Sequence, residues 1–162
     1  NRECSTGLYN QTKYHSDWDR YVNRFHITGE TQGLINIDID KLKVFNDTYG
    51  HIAGDRMINS FAEMLRTMES KDIRPYRQGG DEFAVIVRGD LARAKELGDY
   101  ILENTRNVWV PEGADPRTAS IGIAMIEQEI ISGDEWARNA DDAVYEAKKN
   151  GRNQVFVYKK CD

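Results

Sequence analysis

Cysteine is scarce. Cys4 and Cys161 stand at opposite ends of 162 residues, without metal-ligand spacing, and one pair is no disulfide framework. They read as incidental thiols of a reducing compartment. Histidine is limited to His15, His26 and His51; the first two have no partner evident in the sequence and are expected at the surface, and His51 reads as structural. Positive charge is in deficit, with 22 Lys and Arg against 27 Asp and Glu and a net charge of -5, which argues against a general binder of nucleic acid or anionic membrane. No apolar run approaches a bilayer span and no secretory signal opens the chain, so a cytoplasmic protein without direct membrane contact is expected. Internal repeats, low-complexity tracts and linkers are also missing. What remains is an ordinary globular composition, 40% hydrophobic and 30% charged, expected to form one domain over residues 1–162.

The apolar spacing lays out the elements. Residues 1–10 are polar and turn-rich with no core of their own. Tyr14, Trp18, Tyr21, Val22 and Phe25 recur at helical spacing, a stripe for core or partner contacts. After a loop over 26–33, residues 34–40 alternate as a strand, with Ile35, Ile37 and Ile39 on one face and Asn36, Asp38 and Asp40 on the other. Residues 41–49 make a short turn or helix ended by Gly50. Ile58, Phe61, Ala62, Leu65 and Met68 mark a long amphipathic helix, and Leu91 to Leu102 another. Residues 104–117, with Pro111, Gly113 and Pro116, form a surface loop. Residues 118–125 are a strand of small residues suited to close backbone approach. A helix through Trp136, Ala140 and Ala147 ends at Gly151, and 154–158 is the closing strand. Helices and strands interleave, yet a hairpin interrupts them. The expected fold is therefore α/β, a mixed central sheet flanked by helices.

The hairpin carries the chemistry. Arg77-Gln78-Gly79-Gly80-Asp81-Glu82-Phe83 joins two strand-like runs through glycines that tolerate the positive φ of a tight turn. Asp81 and Glu82 set adjacent carboxylates at its tip, where mutual repulsion favours a cation; a solvated acidic turn is the competing reading. Asp38 and Asp40 emerge together where the earlier strand ends. If the two strands are neighbours, Asp38 and Asp81 share a cleft. Such oxygen ligands suit Mg²⁺, which takes one or two carboxylates plus substrate phosphates, and two ions about 3.5–4 Å apart would clamp a phosphoryl displacement.

These residues, with Thr6-Gly7-Leu8-Tyr9-Asn10, Asp38 through Asp47, Gly50-His51-Ile52-Ala53-Gly54-Asp55, Ser120 through Ala124 and Ala147 through Asn153, make six ordered blocks, and the chain resembles the GGDEF family of diguanylate cyclases over nearly its whole length. The resemblance implies a fold akin to the polymerase palm and the nucleotidyl cyclases, and condensation of two GTP into cyclic di-GMP with release of two pyrophosphates. It implies two Mg²⁺ per site, with Mn²⁺ as a substitute, on Asp38, Asp81 and the Ile39 carbonyl. Glu82 would be a metal-proximal carboxylate or base. Gly79 and Gly80 would admit the nucleotide, Asn46 and Asp55 would read guanine, and Lys43, Lys148 and Arg152 would contact phosphates. Aspartate at 55, where cyclases that also make mixed guanine–adenine products tend to carry serine, favours GTP.

The sequence departs from the family pattern in places. Ser70-Lys71-Asp72-Ile73 stands where the inhibitory product site Arg-x-x-Asp is common, so no product inhibition through that site is expected. Glu3-Cys4-Ser5-Thr6 replaces the usual Asp-x-Leu-Thr, Gln11 an arginine, and Leu42 a phenylalanine. Because each such domain binds one GTP, catalysis implies a homodimer, with an upstream sensory or dimerising module and a place as the output domain of a longer protein, free in the cytoplasm or below a membrane-anchored sensor. The alternative is a catalytically silent GTP-binding regulatory module.

Overall fold

The run Gln32–Ile39 forms β1, the central strand of a five-stranded sheet, in a computed structural model that describes residues 1–160. The other strands are β2 (Ile73–Gly79), β3 (Glu82–Arg88), β4 (Ala119–Met125) and β5 (Gln154–Val157), in the order β2-β3-β1-β4-β5. β1 is antiparallel to both β3 and β4, whereas β4 and β5 are parallel. The sheet is mixed, as expected.

Helices cover both faces. Ile35, Ile37 and Ile39 point into a core with α2 (Leu42–Tyr49), α3 (His51–Arg66) and α4 (Leu91–Thr105). Leu34 points the other way, into a core of Tyr14, Tyr21 and Val22 from α1 (Gln11–Thr28) and Trp136, Ala137 and Ala140 from α5 (Gly133–Lys149). The alternation in β1 therefore marks two buried faces and not one buried and one wet, the usual state of a strand central to a layered α/β fold.

Three local expectations are corrected. α1 runs on to Thr28, where Gly29 caps it at φ 76°, so the loop before β1 is short. The hairpin turn is Gly80-Asp81, because Gly79 already pairs with Glu82 across the ladder. The first ten residues do contribute to the core: Leu8 is fully buried, and the Asn10 side chain caps α1 by accepting from the Lys13 N–H at 2.9 Å. His26 is exposed, as expected, and its Nε2 lies 2.6 Å from the Ile130 carbonyl. Cys4 is exposed and free; Cys161 lies outside the described residues. Among the described residues no helix is long and apolar enough to cross a membrane.

The small residues of β4 set how closely α5 sits on the sheet. A Cβ on Gly122 would fall 2.4 Å from the Val144 nitrogen and 2.5 Å from the Ala140 carbonyl oxygen. Backbone meets backbone there, and the buried Ala137, Ala140, Ala143 and Ala147 of α5 keep the approach close. Gly122→Ala must push the helix outward. It is expected to destabilise the domain by at least about 2 kcal/mol, as overpacking of a tight contact does, read as a lower denaturant midpoint with unchanged slope.

Candidate active site

Pairing of β1 with β3 puts Asp38 directly opposite Glu82. The Ile39 N–H donates to the Asp81 carbonyl at 3.2 Å, tying the end of β1 to the hairpin tip. The turn is held from behind by Arg77, which donates to the Gly80 carbonyl and to Glu3 Oε1, each at 2.8 Å. Glu3 thus locks the first segment onto the hairpin despite its departure from the usual aspartate. Gly80 has φ 51°, a left-handed conformation that glycine adopts without strain.

The carboxylates crowd one another. Asp38 is half-buried, with 13% of its side chain exposed; one oxygen pairs with the Lys148 ammonium from α5, and the other, Oδ1, is buried without a hydrogen-bond partner. Burial and the facing Asp81, opposed by Lys148, push the Asp38 carboxyl up to about 6. Glu82 is raised by burial and by the charges of Asp38 and Asp141. Asp38, Glu82 and Lys148 line a cavity of about 220 Å³ with Asn36, Gln78, Asp141 and Tyr145.

This donor set fits a hard cation. An orphaned carboxylate oxygen, a second carboxylate facing it and an ammonium already paired with Asp38 mark a place where positive charge is wanted. Among the described residues no three acidic, histidine or cysteine side chains gather closely enough to enclose a metal unaided. That suits an ion such as Mg²⁺, which leaves part of its coordination to substrate phosphates and water.

The remaining predicted residues sit on adjoining segments. Asn46 lies in the last turn of α2, its Oδ1 buried and unpartnered. A Cβ on Gly54 would fall 1.8 Å from that oxygen, so the glycine before Asp55 makes room for the amide. Asp55 is exposed and lines a separate hollow of about 230 Å³ with Ser5, Ile58, Asn59 and Arg77. Lys43 and Arg152 are exposed and form no ion pair among the described residues. The structure thus brings Asp38, Asp81, Glu82 and Lys148 together, and leaves Asn46, Asp55, Lys43 and Arg152 around them without direct contact. A larger hollow of about 770 Å³, lined by Arg24, Glu30 and Arg88, lies at the other end of β1 and includes none of these residues.

Asp40 does not join Asp38. It is 6% exposed and accepts from Thr118 Oγ1 at 2.7 Å, Ser120 Oγ at 2.6 Å and the Asn153 N–H at 3.0 Å. Its work is to pin the ends of β1, β4 and the segment entering β5. Strand alternation alone could not reveal this, because Asp40 already lies past the last residue of β1.

With this geometry in place, the comparisons are decisive for kinship. The diguanylate cyclase GGDEF domain family matches residues 2–154. The chain belongs to the GGDEF family. It is 40% identical over 130 residues to the probable diguanylate cyclase DgcT of Escherichia coli K12, covering 75% of this chain and 28% of that protein. It is 32% identical over 160 residues to the diguanylate cyclase VdcA of Vibrio cholerae, covering 93% and 45% respectively. The chain therefore spans less than half the length of these relatives. Among solved structures it is similar to the GGDEF domain of DgcB from Caulobacter crescentus in complex with c-di-GMP, with a TM-score of 0.89 at 27% identity, covering 98% of this chain and 93% of that one.

Within this GGDEF domain the sequence reading missed Asn36, Gln78, Asp141 and Tyr145 as cavity-lining residues. A signal existed for two of them. Asn36 shares the Asp38 face of β1, and Asp141 precedes Lys148 by seven residues, two turns of one helix face.

The raised Asp38 carboxyl has a consequence for stability. Between the unfolded value near 4 and about 6 the folded state holds the extra proton, so stability falls as pH rises through that window. Asp38→Asn removes the penalty. In metal-free solution it is expected to stabilise the domain at pH 7, on the order of 1 kcal/mol after solvent screening, and to flatten the pH 4–6 dependence of the denaturation midpoint.

Proposed function

We propose that this domain is the catalytic unit of a diguanylate cyclase. Two copies, each holding one GTP, face one another as a homodimer, and each ribose 3′-hydroxyl attacks the α-phosphate bound by the other copy. At each centre an O–P bond forms, the bond to the β-phosphate oxygen breaks, and pyrophosphate leaves. The product is cyclic di-GMP. The observation that supports this reading best is the Asp38–Asp81 pair with Glu82 alongside, crowded at the end of β1 where the Lys148 ammonium pairs with Asp38.

Asp38, Asp81, the Ile39 carbonyl and Glu82 would hold two Mg²⁺ ions, or Mn²⁺ in their place. When bound, the ions lower the pKa of the attacking hydroxyl and neutralise charge at the α-phosphate. The chain's own residues do the rest. Lys43, Lys148 and Arg152 are cations for the triphosphate, and the Arg152 guanidinium can take two oxygens at once. Glu82, whose carboxyl is raised by burial and by Asp38, stands there as a metal-proximal carboxylate or as the base for the 3′-hydroxyl proton. Asp55 accepts from guanine N1–H and the exocyclic amine, and the Asn46 amide answers O6. Adenine leaves these groups unpaired, at about 1–3 kcal/mol each once buried. Gly79 and Gly80, both exposed, let the nucleotide approach the backbone.

Ser70 and Ile73 offer neither the cation nor the carboxylate of an inhibitory product site, and Ile73 is buried in the core. An upstream dimerising or sensory segment would set how often two sites meet in the cytoplasm.

Fused to a parallel coiled coil and given GTP and Mg²⁺, the domain is expected to form cyclic di-GMP, and Asp81→Ala to lose at least about a hundredfold in rate, the scale of removing a group that stabilises transition-state charge. GTP bound without product by the parent would contradict the cyclase and favour a silent GTP-binding module.

A further inference from the structure

Asn36 is the polar exception on a buried face. It is 2% exposed, two residues before Asp38 and on the same side of β1, where Leu34 meets the core. Its amide has one orientation. The Tyr14 hydroxyl, itself fully buried on α1, donates to Asn36 Oδ1 at 2.9 Å. Nδ2 is thereby turned to Asp141 of α5 and donates to its Oδ1 at 2.6 Å.

Two rungs consequently join β1 to α5. Asn36 bonds Asp141, and Asp38 pairs with Lys148. The rungs are two residues apart on the strand, about 7 Å, and seven residues apart on the helix, about 10 Å. The second rung opens when the site fills, because a divalent cation on the unpartnered Asp38 Oδ1 repels the ammonium held on Oδ2 while the triphosphate attracts it. The first rung lines the same cavity but makes no hydrogen bond to the carboxylate pair or to the triphosphate cations, so it is expected to survive loading.

We infer that Asn36, oriented by Tyr14, is a positioning residue for Lys148: through Asp141 it holds α5 in register on β1 so that the lysine, once released from Asp38, stays aimed at the triphosphate. The inference rests on the cyclase reading. A hydrophobic residue at position 36 would suit the surrounding core but leave Asp141 untethered at the cavity wall.

The test is affinity for 3′-deoxy-GTP, which lacks the attacking hydroxyl and is not turned over. Titration calorimetry with Mg²⁺ compares the parent, Asn36→Leu, Lys148→Met and the two substitutions combined. Asn36→Leu is expected to weaken binding about tenfold in the parent, a coupling typical of neighbouring side chains, and less than about twofold in the Lys148→Met background. Equal losses in both backgrounds, on a parent that binds, would mean a merely structural role and overturn the inference alone. A parent that binds no 3′-deoxy-GTP would overturn the cyclase reading and the inference with it. Should Asn36→Leu fail to fold, the exchange Asn36→Asp with Asp141→Asn carries the test. The Tyr14 hydroxyl and the new amide can both donate to a carboxylate at position 36, so the pair is expected to recover parent affinity while Asn36→Asp alone, which faces Asp141 with like charge, does not. An exchange no better than the single variant would overturn the inference.

Discussion

Antiparallel pairing of β1 with β3 is the constraint on which the rest of this molecule depends. It sets Asp38 opposite Glu82 and draws the Asp81 turn against the end of β1 through the Ile39 N–H. Carboxylates so arranged repel one another, and burial sharpens the repulsion. The fold accepts this because three other contacts hold the region: Arg77 clamps the turn, Asp40 fastens the strand ends, and Lys148 supplies a compensating charge. Strain of this kind at one place in an otherwise consistent fold is the usual mark of a working site.

The helix that carries Lys148 is placed with equal care. Gly122 and the alanines of α5 bring helix and sheet into backbone contact, and Asn36 adds a polar tie two residues from Asp38. In the proposed mechanism this places the Lys148 ammonium, now paired with Asp38, where it can also serve a bound triphosphate.

Much of this was legible in the sequence. The element order, the mixed sheet, the hairpin and the small residues of β4 follow from periodicity, glycine placement and composition, which act locally. Asp38, Asp81, Glu82 and Lys148 were singled out and do converge. Other features escaped for physical reasons. Whether the Asn36 face of β1 is wet or buried depends on α1 and α5, which pack there from far along the chain. Asp40 looked equivalent to Asp38 by alternation, yet past the strand end its direction is set by Thr118, Ser120 and Asn153. Leu8 is anchored in the core by tertiary packing that a polar, turn-rich segment does not advertise.

The central claim is that the crowded carboxylates exist to hold divalent cations beside the nucleotide. It is tested most directly by titrating Mn²⁺ into the domain with 3′-deoxy-GTP at pH 7 and at pH 5. A carboxyl pushed up to about 6 must lose its proton to bind metal, so affinity is expected to fall about tenfold at the lower pH, and Asp38→Asn to bind weakly at both. Equal affinity at the two pH values, or unchanged binding in Asp38→Asn, would contradict the account.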